Sequence, residues 1–253
     1  LSTPLRAFLI NIIVRFYNNT LNQKFWSEDN KFDPDIRKKL LAITDDFVEN
    51  LNLEAHYIFV VQKKHREMYK LDSFLNIIAE NCSVIEVDGL TEGAACTALL
   101  ARGLIDNDEP LFFANSDQFV EWDSNEFMYK MNETNADGGI VSFKATHPKW
   151  SFAKVNEEGL VTEVAEKNPI SDIATVGFYW WKYGSDFVKY DEQMIERNIR
   201  VNNEFYVCPV FNQAIEDKKE IRTFNIDKMW GLGTPEDLKY YLENYNYDTR
   251  RNK

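Results

Sequence analysis

From about residue 55 to residue 135, short apolar segments alternate with segments whose apolar residues recur at helical spacing. Residues 57–61, residues 83–87 and the segment that starts at Leu111 are typical of buried strands. Helices are predicted between and after them, over residues 67–80, 93–104 and 124–135. A strand, a helix and a second strand in succession predict a crossover unit in which the strands lie parallel. The alternation therefore predicts an α/β fold with a mainly parallel central sheet.

The second half of the chain changes to closely spaced strands, predicted over residues 140–146, 152–155, 160–164 and 174–181. The segment from Asn156 to Gly159 is typical of a hairpin turn between two of them. Helices are predicted over residues 185–198, 207–217 and 235–244, with a strand over residues 220–226. No internal repeat or low-complexity linker interrupts this part, and the length of the chain suits one large or two small domains.

The first fifty residues have a different pattern. Residues 9–14 fit a strand or part of a helix, because periodicity does not decide for so short a run. Asp33 and Pro34 suit the cap and the first position of a helix, and apolar residues recur at helical spacing from 36 to 47. Residues 1–50 are therefore predicted to be an atypical segment of strand and helix.

Composition excludes some classes of partner. The chain carries 29 basic and 41 acidic residues, and its net charge of −12 opposes binding to nucleic acid or anionic membranes. Its three cysteines show neither metal-ligand spacing nor a secreted disulfide pattern, which predicts reduced thiols in a cytoplasmic protein. The apolar run over residues 5–14 is too short to span a bilayer and lacks a signal-peptide cleavage site. The composition leaves the oligomeric state open, and a homo-oligomer is compatible with it.

The Leu111 strand ends abruptly at Asn-Ser-Asp117, and this ending is the first candidate for chemistry. Ligands of open α/β sheets bind outside the carboxyl ends of the strands. A carboxylate at that edge, with no basic residue among its immediate neighbours, is suited to bind Mg²⁺. The alternative is that Asp117 only caps the following turn, since Asn, Ser and Asp favour turns.

Three further segments have a functional and a structural interpretation. The loop at Gly93 enters an alanine-rich helix, whose free N–H groups suit a ligand and whose small side chains equally suit tight packing. The Glu166-Lys167 pair ends a strand, where Lys167 would neutralise a phosphate or lie on a solvated surface. The segment from Trp230 to Asp237 is foremost a helix start, with Thr234 as cap and Asp237 as the returning acid of a capping box. Its glycines also suit the wall of a pocket.

In chain order these segments resemble the sugar-phosphate nucleotidyltransferases, also called nucleotide-sugar pyrophosphorylases, and in particular their capsule-type members. The resemblance covers residues 50–245 and rests on motifs in a fixed order: the Gly-Ala-Ala loop at Gly93, the strand ending in Asp117, the Glu166-Lys167 pair before a proline, the Val176-Gly-Phe-Tyr179 strand, the Glu204-Phe-Tyr segment, and Trp230-Gly-Leu-Gly-Thr-Pro-Glu-Asp237. It implies a three-layer α/β/α sandwich of the nucleotide-diphospho-sugar transferase type, a Rossmann-like fold shared with A-type glycosyltransferases. Residues 51–253 would then be a nucleotidyltransferase-like domain.

The activity implied by the resemblance is transfer of a nucleotidyl group from a nucleoside triphosphate to a sugar 1-phosphate or related phosphorylated alcohol. Pyrophosphate is released, and the product would serve surface polysaccharide synthesis. Such a transfer needs positioning and charge neutralisation more than covalent help from the protein. The implied partners are the triphosphate and a phosphorylated sugar or polyol, and the implied cofactor is Mg²⁺.

The resemblance also assigns roles to individual residues. Asp117 would hold Mg²⁺ at the α-phosphate, and Lys167 would act beside it as the second catalytic residue. The residues that would bind the nucleotide are Glu92, Gly93, Ala94 and Ser116. The residues that would bind the acceptor substrate are Gly138, Gly139, Glu166, Lys167 and Glu204.

Two features depart from the family pattern. The family's glycine-rich loop, whose arginine and lysine cradle the triphosphate, is not found after residues 9–14, where Arg15-Phe-Tyr-Asn-Asn follows. Gly231 stands where many relatives place a second metal-binding aspartate, with Asp227 nearby. Two alternatives stay open: an A-type-fold glycosyltransferase with a nucleotide-sugar donor, although Asp117 begins no Asp-x-Asp motif, and a catalytically impaired sugar- or nucleotide-binding remnant without the triphosphate loop.

Overall fold

The computed structural model describes residues 7–11, 55–69, 71–79, 82–115 and 117–245. The helix predicted to start near Pro34 lies outside these residues, and so does Ser116. The described strands are β1 (Ala7–Asn11), β2 (Tyr57–Gln62), β3 (Cys82–Val87), β4 (Leu111–Asn115), β5 (Gln118–Glu121), β6 (Gly138–Lys144), β7 (Ser151–Val155), β8 (Val161–Glu166), β9 (Ile173–Trp181), β10 (Ile221–Asn225) and β11 (Lys228–Gly231). The described helices are α1 (Lys63–Tyr69), α2 (Leu71–Ile78), α3 (Ala94–Leu99), α4 (Arg102–Ile105), α5 (Ser124–Glu133), α6 (Gly184–Glu196), α7 (Val210–Glu216) and α8 (Pro235–Asn244).

The central sheet has the strand order β10-β6-β9-β4-β1-β2-β3. Its neighbouring strands are parallel except where β9 pairs with β4 and β6, and those two pairings are antiparallel. β7 and β8 belong to the same nine-stranded sheet, and their pairings with each other and with β9 are also antiparallel. The α/β fold is therefore as predicted, but its central sheet is mixed. β1 pairs with both β2 and β4, so the N-terminal segment contributes an inner strand of this sheet. A domain boundary near residue 50 stays a prediction.

Side chains of the sheet alternate between two hydrophobic cores, one on each face. On β4, Phe112 belongs to one core and Phe113 to the other, and Trp180 and Trp181 of β9 divide in the same way. Buried residues of α2 and α5 complete the core of Phe112, and those of α3, α6 and α7 complete the core of Phe113. Because successive strand residues point to opposite faces, one apolar strand supplies both cores. The result is the predicted three-layer α/β/α sandwich.

Several helices differ in their bounds from the predicted ones. The helix expected over residues 67–80 corresponds to α1 and α2, which lie on either side of residue 70, and the helix expected over residues 93–104 is α3 and α4. The two residues between α3 and α4 leave the apolar spacing almost unchanged, so periodicity does not reveal that break. In the described part of the chain, no helix combines the length and the apolar character that crossing a membrane requires.

Two smaller β-structures flank the sheet and shape its edge. β7 and β8 form the predicted hairpin, in which Asn156 accepts hydrogen bonds from the turn and Gly159 has a φ of 75°. β5 and β11 form an antiparallel ribbon that the sequence pattern did not predict. Its register pairs Gln118 with Gly231. The ribbon thereby brings the segment after β4 beside the segment that leads into α8.

Candidate functional site

A cleft of about 250 Å³ lies where β4 ends, between the β7–β8 hairpin and the start of α8. The described charged residues that line it are Asp117, Lys149, Glu166, Lys167 and Asp237. Three carboxylates and two ammonium groups at one site suit a ligand that combines phosphates, hydroxyls and a metal ion. The cleft is also at the sheet edge where open α/β folds bind their ligands.

Asp117 lies half-buried in the turn between β4 and β5. Its backbone carbonyl accepts a hydrogen bond of 2.7 Å from the N–H of Leu232, which holds it against the chain beyond β11. Its Oδ2 lies 2.8 Å from the point where a Cβ would stand on Gly233. A side chain at position 233 would therefore require the Asp117 carboxylate to move from this position in the cleft.

Asp237 lies in the first turn of α8 and is the second carboxylate on this side of the cleft. The N–H of Asp237 donates to Oγ1 of Thr234, which confirms Thr234 as the helix cap. The carboxylate packs over Gly231, with its Cγ 3.3 Å from the position of a Cβ there. Oδ1 of Asp237 lies 3.6 Å from Nζ of Lys149, so the carboxylate faces the ammonium group of this lysine in the cleft. Asp227 is exposed at the opposite end of β11 and does not line the cleft.

Glu166 and Lys167 end β8 on the other side of the cleft. The hydroxyl of Ser151 donates a short hydrogen bond to Oε2 of Glu166. Lys167 has a φ of 54°, and its N–H donates to the carbonyl of Trp150. Its ammonium group lies 4.5 Å from the ring centroid of Tyr206 and 2.5 Å from the phenol oxygen. Both charged side chains are therefore held in defined positions at the cleft.

Protonated groups form the floor beneath Glu166. Oγ1 of Thr175 and the phenol oxygen of Tyr179 are 2.8 Å apart, and the thiol of Cys208 contacts both Tyr179 and Ser151. Burial raises the pKa of the Tyr179 phenol and of the Cys208 thiol. Both groups are therefore neutral near pH 7 and able to donate hydrogen bonds. An uncharged, hydroxyl-rich floor suits the hydroxyl groups of a substrate.

Gly177 gives the cleft its depth at the centre of β9. It has a φ of 79°, and a Cβ at this position would lie 2.2 Å from Nδ2 of Asn115. The register of β9 against β6 shifts at this point, and both Thr175 and Tyr179 line the cleft beside the glycine. Gln118 is also in the wall, and within the described structure its buried Oε1 has no hydrogen-bond partner.

Of the residues expected to bind the nucleotide, some line the cleft and others do not. Ala94 lines the cleft. The described lining does not include Glu92, which is exposed and pairs with Arg200. Gly93 has a φ of 140°, and a Cβ there would lie 2.3 Å from the carbonyl oxygen of Phe205. The backbone at Gly93 is therefore closely packed against Phe205, and its role in nucleotide binding stays a prediction. Ser116 lies outside the described residues.

Gly138 and Gly139 lie in β6, outside the described lining of the cleft. Both are buried in β6, and a Cβ on Gly138 would lie 2.8 Å from side-chain atoms of Ile221 and Phe211. A Cβ on Gly139 would lie 2.5 Å from Sδ of Met131. Their small size lets helices pack on the sheet, and neither belongs to the described cleft lining. Glu204 forms an isolated bridge with Val201 and is likewise outside that lining.

Lys149, Ser151 and Gln118 reach the cleft although the sequence analysis gave them no role, and Tyr206 was noted only as part of the Glu204-Phe-Tyr motif. Lys149 follows Thr-His-Pro in a turn, a context in which a lysine is usually a solvated surface residue. Asp237 was recognised only as a capping residue, because its position three residues after Thr234 explains it locally. No local signal relates these residues to Asp117.

The architecture matches solved structures of several nucleotide-sugar pyrophosphorylases and nucleotidyltransferases. A nucleoside-diphosphate-sugar pyrophosphorylase from Vibrio cholerae RC9 matches with a TM-score of 0.71 at 19% identity, over 94% of this chain and 100% of that chain. The inositol-1-phosphate CTP transferase from T. maritima matches with a TM-score of 0.67 at 13% identity, over 95% of each chain. UDP-glucose pyrophosphorylase complexed with UDP-glucose matches with a TM-score of 0.64 at 15% identity, over 95% of this chain and 100% of that chain.

Sequence comparison adds no closer relationship, since no family model and no curated protein matches the chain. The structural matches span nearly the whole chain. The chain therefore has the nucleotide-diphospho-sugar transferase fold that the sequence motifs predict.

Proposed function

We propose that this protein is a nucleotidyltransferase that joins a nucleoside triphosphate to a sugar 1-phosphate or related phosphorylated alcohol and releases pyrophosphate. One fold hosts many activities, so the proposal depends on the site. The observation that carries it is the convergence of Asp117, Glu166 and Lys167 in one cleft of this fold. Asp117 lies far from the Glu166-Lys167 pair in the sequence, and the three side chains have the charges that the two phosphorylated substrates require.

In the proposed reaction an oxygen of the acceptor phosphate attacks the α-phosphorus of the triphosphate. The bond between the α-phosphorus and its bridging oxygen to the β-phosphate breaks, and pyrophosphate leaves with the electron pair. A phosphate monoester has a second pKa near 6, so the nucleophile is already an anion at neutral pH and needs no general base. The protein has to align two anions and offset their charge.

Lys167 would bind the acceptor phosphate, and Glu166 would accept hydrogen bonds from the acceptor's hydroxyl groups. Lys167 is held on Tyr206, which keeps its ammonium group at the cleft. Ser151 orients Glu166, so the carboxylate does not have to be ordered when the substrate arrives. The neutral hydroxyls of Thr175 and Tyr179 lie in the floor beneath and would complete the acceptor pocket.

Asp117 and Asp237, on the side of the cleft opposite Glu166 and Lys167, are suited to bind Mg²⁺. Proteins usually bind this ion through one or two carboxylates together with substrate phosphates. Asp117 packs against Gly233 and Asp237 packs against Gly231, so both carboxylates flank the same short segment. In the described residues no three His, Cys, Asp or Glu side chains converge as a metal site, so phosphate oxygens and water would supply the remaining ligands. When bound, Mg²⁺ would neutralise developing charge on the α-phosphate.

We assign the product to the synthesis of a surface polysaccharide precursor in the cytoplasm. The support is the resemblance of the motifs from Gly93 to Asp237 to those of capsule-type members. The same motifs favour a phosphorylated sugar or polyol over other acceptors.

The proposal is tested by pyrophosphate release from a matrix of nucleoside triphosphates and sugar or polyol phosphates in the presence of Mg²⁺. We expect release with at least one pair, and loss of Mg²⁺-dependent nucleotide binding in Asp117→Asn, measured by calorimetry. Lys167→Met should weaken acceptor binding much more than nucleotide binding. Lys154→Met is the matched control, because Lys154 is exposed on β7 and does not line the cleft.

Other outcomes would select the alternatives or reject the assignment. Sugar transfer from a nucleotide sugar without pyrophosphate release would indicate a glycosyltransferase. Binding of both substrates without turnover would indicate a catalytically impaired remnant. Unchanged nucleotide binding in Asp117→Asn would remove Asp117 from the metal site.

A further inference from the structure

We infer that Lys149 is a second phosphate-binding residue of the cleft and that it binds the polyphosphate of the nucleotide on the side of Asp117 and Asp237. The inference rests on the proposed function and adds a residue to which neither the motifs nor the structural matches assign a role. The chemical class of its ligand is a Mg²⁺-bound di- or triphosphate, including the released pyrophosphate.

Lys149 occupies a constrained position for a lysine in a loop. Its N–H donates to Nδ1 of His147, and the N–H of Trp150 donates to the carbonyl of His147, so residues 147–150 form a tight turn. The ammonium group lies 4.5 Å from the ring centroid of Trp150. The turn and the indole direct the side chain to the cleft, where it faces Asp237 at 3.6 Å.

The pair between Lys149 and Asp237 is suited to be exchanged for ligands. The side chains are 46% and 33% exposed, and ion pairs this open to water are weak. With Mg²⁺ bound, the Asp237 carboxylate would be a ligand of the metal together with Asp117, and it would no longer pair with Lys149. The Lys149 ammonium group would then lie beside the phosphates that share the metal. In this way each charge has a partner both before and after the substrate binds.

Lys149 and Lys167 would each bind a different phosphate in the cleft. In its described lining these are the two cationic side chains, and each rests on an aromatic ring, Trp150 or Tyr206. Lys167 follows Glu166 on the acceptor side, whereas Lys149 pairs with Asp237 on the carboxylate side. A reaction that joins two phosphates needs one cation for each, because neither phosphate approaches the other without charge neutralisation.

The first test measures binding of inorganic pyrophosphate by calorimetry with the full chain in the presence and absence of MgCl₂. Lys149→Met should weaken binding of Mg²⁺-pyrophosphate about tenfold or more, the loss typical of one charge-assisted contact. Lys154→Met should bind as the wild type does, since Lys154 is an exposed lysine outside the cleft lining. Equal affinities in Lys149→Met and Lys154→Met would overturn the inference.

A second variant separates phosphate binding from a structural role. Without metal, Asp237→Asn frees Lys149 from its carboxylate and should tighten pyrophosphate binding severalfold. The gain should vanish in the double variant Asp237→Asn/Lys149→Met, whereas a lysine that only stabilises the loop would leave the two variants with the same affinity. Thermal unfolding of each variant checks that the fold is retained.

The outcomes also distinguish this inference from the proposed reaction. Pyrophosphate binding that depends on Lys149, in a chain that releases no pyrophosphate with any substrate pair, would support the phosphate site and reject the reaction. Turnover with a substrate pair, together with wild-type pyrophosphate binding in Lys149→Met, would support the reaction and overturn the inference.

Discussion

Asp191 on α6 provides a quantitative test of the structure away from the cleft. The residue is 0% exposed, and within the described structure neither carboxylate oxygen has a hydrogen-bond partner. It lies on the helix face that also carries Phe187 and Met194, both members of the core on that side of the sheet. Burial, with a smaller contribution from Glu192, raises the pKa of Asp191 from 3.8 to about 7. We predict that Asp191→Asn makes the protein more stable at alkaline pH relative to the wild type.

The sign follows from the direction of the pKa change. The folded protein binds the Asp191 proton more tightly than the unfolded chain does. The contribution of Asp191 to the free energy of unfolding is therefore largest at acidic pH and declines as the pH rises to about 7. A rise from 3.8 to about 7 corresponds to about 4 kcal/mol in total. Of this amount, about 2 kcal/mol is lost between about pH 5.5 and about pH 8.5. The side-chain amide introduced by Asp191→Asn has no proton to lose in this range, so that part of the decline should disappear in the variant.

The assay is urea unfolding of the wild type and Asp191→Asn, followed by tryptophan fluorescence at several pH values across that range. With a slope of about 2 kcal/mol per M urea, the midpoint of the variant should gain about 1 M on the wild type between the two ends of the range. Glu196→Gln is the matched control, because Glu196 is an exposed carboxylate on the same helix. A stability difference between wild type and Asp191→Asn that does not change with pH would refute the reasoning.

Three other substitutions test the geometry of the cleft and its surroundings. Gly233→Ala should weaken Mg²⁺-dependent nucleotide binding, since its Cβ would stand 2.8 Å from Oδ2 of Asp117, and calorimetry showing wild-type affinity would contradict this placement. Gly103→Ala should leave that binding unchanged and raise the free energy of unfolding by up to about 1 kcal/mol, because a Cβ in α4 meets open space and alanine favours a helix. Ser151→Ala should weaken acceptor binding more than nucleotide binding, because Glu166 loses the donor that orients it, and equal losses for both ligands would argue for a general structural effect.

Much of the architecture was predictable because its signals are local. Alternating apolar strands and helical segments identified the α/β fold and the parallel pairings among β1 to β4, and the bounds predicted for the last helix agree with α8. Asp117 and the Glu166-Lys167 pair were singled out because each follows directly on a strand, and the structure brings all three to one cleft. Open α/β sheets bind ligands outside the carboxyl ends of their strands, which points to the residue after β4. The β7–β8 hairpin, which pairs with β9, brings the end of β8 to the same cleft.

Tertiary structure alone decided the composition of the rest of the cleft. The β5–β11 ribbon pairs segments that are distant in the sequence, and this pairing brings Asp237 to the same side of the cleft as Asp117. Lys149 reaches Asp237 from the turn before β7. In the same way, only packing shows that Gly138 and Gly139 make room for core side chains. Periodicity and capping preferences report on a residue's near neighbours along the chain. Which side chains meet across a cleft depends on contacts between distant segments, and local sequence carries no record of them.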